Sequence, residues 1–386
     1  MRVLVFLFAL IGPLFLIHAQ EAYWPERNAA WAELPDQYFN EIDTEALSKA
    51  VQFAQDNEYK GERDLRIAIL KGFAREPYHY LAGPVKERGG PAGMILKNGY
   101  VVAQWGDTKR VDMTFSVTKS YLSTVAGLAW DQNLIPDLKQ PVGETVWDGT
   151  FEGEHNSKIN WDHLLTQSSD WSGSLFGMKD WADRPPRTGG VDDWKYRELH
   201  EPGTHYEYND VRVNVLAYSL LQTWRKPLPM VLKEHIMDPI GASSSWRWFG
   251  YDHSFTNVDG IQMQSVSGGG HSGGGVFINT EDHARFGLLF LNQGRWQNQQ
   301  LISSDWVDMV QEPSTANPNY GYMWWLNKAG TDRHWEGVPE HLYYAAGFGG
   351  NYIIIDKEQD LVIVTRWLQP SEAGAFVKLV MEAFQD

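Results

Sequence analysis

At 386 residues the chain is long enough for one large core or two lobes, and 43% hydrophobic with 21% charged residues excludes a disordered or fibrous protein. A formal charge of −16 without an offsetting basic run argues against a nucleic-acid partner, because the phosphate backbone would be repelled. The absence of cysteine removes thiol and disulfide chemistry altogether.

The chain opens with Arg2, an apolar run from Val3 to Ile17 and a small residue, Ala19, before the sequence turns polar. That run is too short to span a bilayer and has the layout of an export signal. We therefore expect cleavage after Ala19, although Ile17 is bulkier than such sites prefer. Segment 1–19 is read as signal peptide and 20–386 as one catalytic domain, secreted or periplasmic, with no stable membrane span after processing.

Thr44 to Asn57 carries a helical pattern. Gly93 to Trp105 follows as two β-rich arms around Asn98-Gly99, a strong hairpin signal. From about 117 to 310 the pattern is of helices (Val117–Gln132, Trp161–Leu165, Val211–Thr223, Leu228–Ile236, Glu281–Asn292) separated by Gly-, Pro-, Asp- and Trp-rich stretches. Near the end, Asn351–Asp356 and Leu361–Trp367 form a second hairpin around a polar turn, and Glu372–Gln385 is helical again. A sheet built from both chain ends and flanked by the terminal helices would bury all of these elements. The expected fold is α/β (α+β): an antiparallel-sheet lobe of about 20–115 plus 311–386, and an inserted, mainly helical lobe of about 116–310. A small-molecule site would sit in the cleft between them.

Ser116-Val117-Thr118-Lys119 follows an extended segment and opens a helix, so the Ser116 hydroxyl and the Lys119 amine share a face. A serine hydroxyl needs a neighbour that takes its proton, and a desolvated lysine can do this. Backbone N–H groups at a helix start can hold an oxyanion. Tyr208, in the turn Pro202 to Asp210, can serve as base and later acid. Gly268 to Gly275 contains Gly270-His271-Ser272-Gly273-Gly274, which formally matches a nucleophile elbow. A glycine run precedes it and a strand-like Val276-Phe277-Ile278 follows, so it reads as a turn at the cleft edge. Tyr343 to Gly350 leads into the second hairpin as an edge strand. No histidine pattern implies a metal, no Gly-rich loop implies a nucleotide, and no cofactor is expected.

Taken in order, several segments resemble the family that joins class C β-lactamases, D-alanyl-D-alanine carboxypeptidases, β-lactamase-like carboxylesterases and aminohexanoate-oligomer hydrolases. They are Thr114-Phe115-Ser116-Val117-Thr118-Lys119-Ser120, Leu164 to Ser169, Pro202-Gly203-Thr204 through Tyr208-Asn209-Asp210, the Gly268–Gly275 run with Ala284-Arg285-Phe286-Gly287, and Tyr320 to Trp325. The resemblance covers about 85–385. It implies a serine β-lactamase/transpeptidase-like fold, Ser116 as the acylated nucleophile, Lys119 and Tyr208 as its partners, and the amides of Ser116 and Phe348 as the oxyanion hole. Two departures stand out. The third residue of the tyrosine element is Asp210 rather than Asn, and the Lys-Thr-Gly element aligns with Ala345-Ala346-Gly347, which has no cation. Asp210, Ala345, Gly347, Trp325 and Tyr344 are accordingly the expected substrate-binding residues. The reading is a carboxylesterase or amidase acting on a small ester or amide, neutral or even cationic. The alternatives are a β-lactamase or D-alanyl-D-alanine carboxypeptidase, or a non-catalytic ligand sensor on the same fold.

Overall fold

The computed structural model of the protein describes residues 23–27, 29–36 and 42–384. The segment read as an export signal, and the last residue of the expected C-terminal helix, Gln385, lie outside them.

Both hairpins form one antiparallel sheet with strand order 325–326, 343–347, 351–356, 361–366, 92–97 and 100–105. Ile363 pairs with Ile95 on one side and Ile354 on the other, so the two chain ends are zipped together at the sheet centre. The Asn98-Gly99 turn closes the first hairpin with both residues at positive φ (51° and 83°), as a two-residue turn between twisted strands requires. The strands Asn351–Asp356 and Leu361–Arg366 are buried along their whole length because both faces are covered. The terminal helices Thr44–Asp56 and Ala373–Glu382 pack together on one side, with Phe376 against Trp105. Thr280–Leu291 lies against the central strands. Asp43 starts the first terminal helix by accepting from the amides of Glu45 and Ala46.

The helix Thr280–Leu291 approaches the sheet so closely that a Cβ on Gly287 would sit 2.5 Å from Val362 Cγ1 and 3.0 Å from Ile353 Cγ2. Alanine gains about 1 kcal/mol over glycine in a helix interior, but overpacking costs about 1–3 kcal/mol. Gly287→Ala is therefore expected to lower stability, measured as an earlier urea midpoint with the slope unchanged. A variant as stable as the natural protein would show that the helix can lift off the sheet freely.

The middle of the chain holds the expected helices, Thr118–Asp131, Trp161–Leu165, Asp210–Trp224 and Leu228–Leu232, the last running into a π turn. It is less helical than the sequence suggests, because a second sheet of order 112–113, 275–278, 247–258 and 261–266 is set into it. Polar residues and Gly250 interrupt the long strand Arg247–Val258, and its pairing shifts register after Gly250. Its hairpin signal, Asp259-Gly260 with φ of 54° and 84°, is of the same type as Asn98-Gly99. One apolar cluster, from Leu47 through Val125 and Leu216 to Ile363, joins both lobes.

Candidate active site

Thr114 ends the extended segment with its amide bonded to Val276 O, and the chain then turns through Phe115–Val117, a single 3-10 turn, into the helix Thr118–Asp131. Phe115 has φ +51°, a conformation that side chains other than glycine rarely adopt. Its buried ring is held between Phe348 (5.0 Å) and Trp367 (6.4 Å), so packing imposes the kink that presents Ser116. Lys119, one turn on, is 1% exposed, and its Nζ lies 3.0 Å from Ser116 Oγ. The same ammonium donates to Asp210 Oδ1 at 2.6 Å. Asp210 is the first residue of the helix Asp210–Trp224, where Asn209 caps the start by accepting from Arg212 N.

Gln167 sets the tyrosine segment. Its carbonyl accepts from Glu207 N at 3.0 Å, its side-chain oxygen accepts from Asn209 N at 3.1 Å, and its amide donates to Tyr320 Oη at 2.8 Å. With both neighbours of Tyr208 held, its ring covers Lys119, whose Nζ is 4.6 Å from the ring centroid, and stacks on Trp325 at 5.8 Å. Tyr206 packs instead on Tyr320 at 5.3 Å, with its phenol pKa well above the ordinary value because of burial. The Tyr208 hydroxyl makes no hydrogen bond to Ser116 among the described residues.

The glycine run passes directly beneath the pair. A Cβ on Gly269 would fall 1.7 Å from Asp210 Oδ1 and 2.2 Å from Lys119 Nζ. Across the site, a Cβ on Gly347 would be 2.2 Å from Thr114 O and 3.3 Å from Ser116 N, so the edge of strand Tyr343–Gly347 reaches Ser116 with Phe348 next in line.

A group that no sequence pattern announces completes the site. Arg184 Nη1 is 2.7 Å from Asp210 Oδ2 and 2.6 Å from Asp183 Oδ1, and its Nη2 donates to His271 Nδ1 at 3.0 Å. Its guanidinium lies between the rings of Tyr208 (5.2 Å) and Phe73 (5.4 Å). Burial works against the Asp210 carboxylate, but Lys119 and then Arg184 hold its pKa well below the usual range. Asp183, which accepts from the Asp210 amide, is pushed up to about 6 by burial; Arg184 opposes that rise and Asp210 adds to it. Burial and then Arg184 lower the His271 pKa, against the opposing pull of Glu76 and Asp210.

Glu76, His79 and His271 offer donor atoms within 4.8 Å of one another, a possible metal set. Their hydrogen bonds assign the protons otherwise. Arg184 donates to His271 Nδ1, so Nε2 carries the proton and gives it to Glu76 Oε2 at 2.5 Å. The ring nitrogen that would face an ion is thus a donor, and the group does not fit a cation.

Residues 84–372 match the family model described as Beta-lactamase. The chain belongs to the β-lactamase family. No curated protein matches it. Among solved structures, a β-lactamase from Mycobacterium bovis is 19% identical, with 82% of this chain and 99% of that one covered at a TM-score of 0.52. A family VIII carboxylesterase is 15% identical over 77% of this chain and 93% of that one, with a TM-score of 0.56. A β-lactamase/D-alanine carboxypeptidase from Pseudomonas syringae is 13% identical over 83% and 100%, with a TM-score of 0.54. At these identities the likeness is one of fold.

Within that β-lactamase fold, Ser116, Lys119, Tyr208, Trp325, Gly347 and Phe348 come together, but three residues expected to bind substrate do not offer it a surface. Both Asp210 oxygens face cations and the residue is 2% exposed, so it has no free acid for a cationic substrate. Ala345 is 1% exposed within the strand; the accessible edge begins at Ala346. Tyr344 is committed to packing, stacked on Trp335 at 4.2 Å. Ser272 sits in a turn before the strand Gly275–Ile278, with no helix behind it, so the elbow geometry is not present. Sequence reasoning missed Arg184 and Asp183, and quoted Gln167 and His271 only as parts of motifs. Arg184 lies in irregular chain before Pro185, where periodicity has nothing to report.

Proposed function

We propose that this protein is an exported serine hydrolase that cleaves a small ester or amide through an acyl-enzyme on Ser116, with esters the better substrates. The observation that carries the reading is the buried Lys119 amine 3.0 Å from Ser116 Oγ, a nucleophile and base in contact without solvent between them. The Ser116 proton passes to Lys119 Nζ as Oγ bonds to the acyl carbon. The leaving alcohol or amine departs with a proton, and water then cleaves the acyl ester and restores the Ser116 hydroxyl. The Tyr208 ring covers Lys119, and its hydroxyl would have to turn toward Ser116 to relay that proton, while the Ser116 and Phe348 amides hold the oxyanion. Export rests on residues 1–19 alone. The test is an alkyl phosphonate ester probe: a mass increment on the peptide carrying Ser116 supports the assignment, and labelling at any other residue overturns it.

The preference for esters follows from the missing cation at Ala345 and from Arg184, whose charge is already shared by Asp183 and Asp210. A β-lactam carboxylate entering the cleft loses water, and a buried unpaired charge costs several kcal/mol, where each ~1.4 kcal/mol is about tenfold in rate. One observation favours the second reading, a β-lactamase or D-alanyl-D-alanine carboxypeptidase. Arg333 is exposed, lies 4.5 Å over the Trp325 ring and has no ion-pair partner among the described residues. Comparing kcat/KM for a p-nitrophenyl ester and a chromogenic cephalosporin separates the two. The expected result is an ester preference of at least about a hundredfold, and efficient cephalosporin turnover would promote the second reading.

A further inference from the structure

Lys119 meets a conflict in this site. A general base must be able to lose its proton, yet Asp210 lies 2.6 Å away and is buried. Were Lys119 the only cation on that carboxylate, deprotonating it would strand a buried negative charge, and the ammonium would persist. Arg184 removes the conflict, because a guanidinium keeps its charge at every working pH. It binds the second oxygen of Asp210 at 2.7 Å. Asp210 therefore retains a counter-ion whether or not Lys119 is protonated.

The surroundings hold Arg184 to this task. It precedes Pro185 and has φ of 49°, a region disfavoured both by L-chirality and by the following proline. Glu76 ties down both ends of the connection: Oε1 accepts from the Arg184 amide at 3.2 Å, and Oε2 accepts from His271, whose other nitrogen receives the guanidinium. Asp183 takes Nη1, and the rings of Phe73 and Tyr208 confine the plane. The charged and titratable groups facing Arg184 are thus Asp183, Asp210, His271, Glu76 and Tyr208, with His79 close enough for its pKa to be lowered by burial and by the Arg184 charge. Lys119 faces Ser116, Asp210 and the Tyr208 ring.

We propose that Arg184 is a positioning residue for acyl transfer: as the permanent counter-ion of Asp210, it lets Lys119 shed its proton and accept the one on Ser116. The inference rests on the acyl-enzyme reading given above, and the two fail differently.

The experiment is the pH profile of kcat/KM for a p-nitrophenyl ester, together with the rate of Ser116 phosphonylation, in the natural protein, Arg184→Gln, Arg184→Lys and Arg184→Gln/Asp210→Asn. In Arg184→Gln the acid limb of both profiles is expected to move up by about one to two pH units, with activity recovering at alkaline pH. Removing the carboxylate as well should bring the limb most of the way back, since the anion in direct contact with Lys119 is then gone and only the more distant Asp183 remains. Arg184→Lys, which keeps a charge but lacks the fork, should fall between; circular dichroism identifies variants that fold. A uniform loss of rate with an unmoved limb in the folded single variants would reduce Arg184 to a structural role and overturn the proposal. Absence of phosphonylation at Ser116 in the natural protein would instead overturn the acyl-enzyme reading.

Discussion

Ser116→Ala is expected to lower kcat/KM for a p-nitrophenyl ester by about 10⁴ to 10⁶ while leaving the fold intact. On the proposed acyl-enzyme route, the loss is large because members of such catalytic units act together, and deleting the nucleophile costs nearly as much as deleting the whole unit. The fold should survive because, among the described residues, the Ser116 hydroxyl makes one hydrogen bond, as the acceptor for Lys119. The kink at Phe115 is held by Phe348 and Trp367 and does not depend on the serine. Steady-state kinetics and a thermal melt on one preparation check both halves. Retained turnover in a folded Ser116→Ala protein would move the chemistry elsewhere, and the parallel variant Ser272→Ala would show whether the glycine run is its home.

The second large effect is expected from a residue without a side chain. In Gly269→Ala the new methyl would fall 1.7 Å from Asp210 Oδ1 and 2.2 Å from Lys119 Nζ, well inside van der Waals contact. Something must move, and the choices are poor. Displacing Asp210 pulls it from Lys119 and Arg184 and leaves buried charges imperfectly paired, which costs about 3–5 kcal/mol when a partner is lost. Displacing Lys119 separates it from Ser116, and a misplacement near 1 Å costs about a hundredfold in rate. The expected outcome is a kcat/KM at least about 10²-fold lower, together with a lower melting temperature. Gly190→Ala is the control: the nearest atom to a Cβ there is Asp193 Oδ2 at 3.9 Å, so activity should hold, with no more than the loss of about 1 kcal/mol that alanine costs at a helix start. Full activity in Gly269→Ala would mean that the glycine run does not lie beneath the ion pair.

The elements that sequence patterns made legible share one property: their signals are short-range. Alternating apolar residues around Asn98-Gly99 determine a hairpin from about a dozen neighbouring positions, and the helices around Val125 and Leu216 do the same with a different period. The Ser116–Lys119 spacing is of this kind, since three residues along one helical turn bring two side chains together whatever surrounds them. Closure of the sheet from both chain ends was legible because two hairpins and two terminal helices carry apolar faces that cover one another.

Signals that depend on context were misread or silent. The strand Arg247–Val258 carries too many polar residues to alternate cleanly, and only its pairing with Gly275–Ile278 and Ile261–Val266 makes it extended. The missing lysine at Ala345 and the acid at Asp210 were both visible, and together they suggested a site with a spare negative charge. What they could not show was that Arg184, in a loop without periodicity, would turn back through a strained backbone to take the second oxygen of Asp210.

The sequence by itself therefore determined which groups could do the chemistry: a serine and a lysine on one turn, a tyrosine beside a helix start, and glycines where the backbone must approach. Tertiary structure alone decided which charges those groups stand beside. Coulomb energies depend on distance through space, not along the chain, and a dry site screens them little, so the partners of a buried charge can come from anywhere in the sequence. Asp210 became an internal counter-ion rather than a substrate contact because folding brought Arg184, Asp183 and His271 against it.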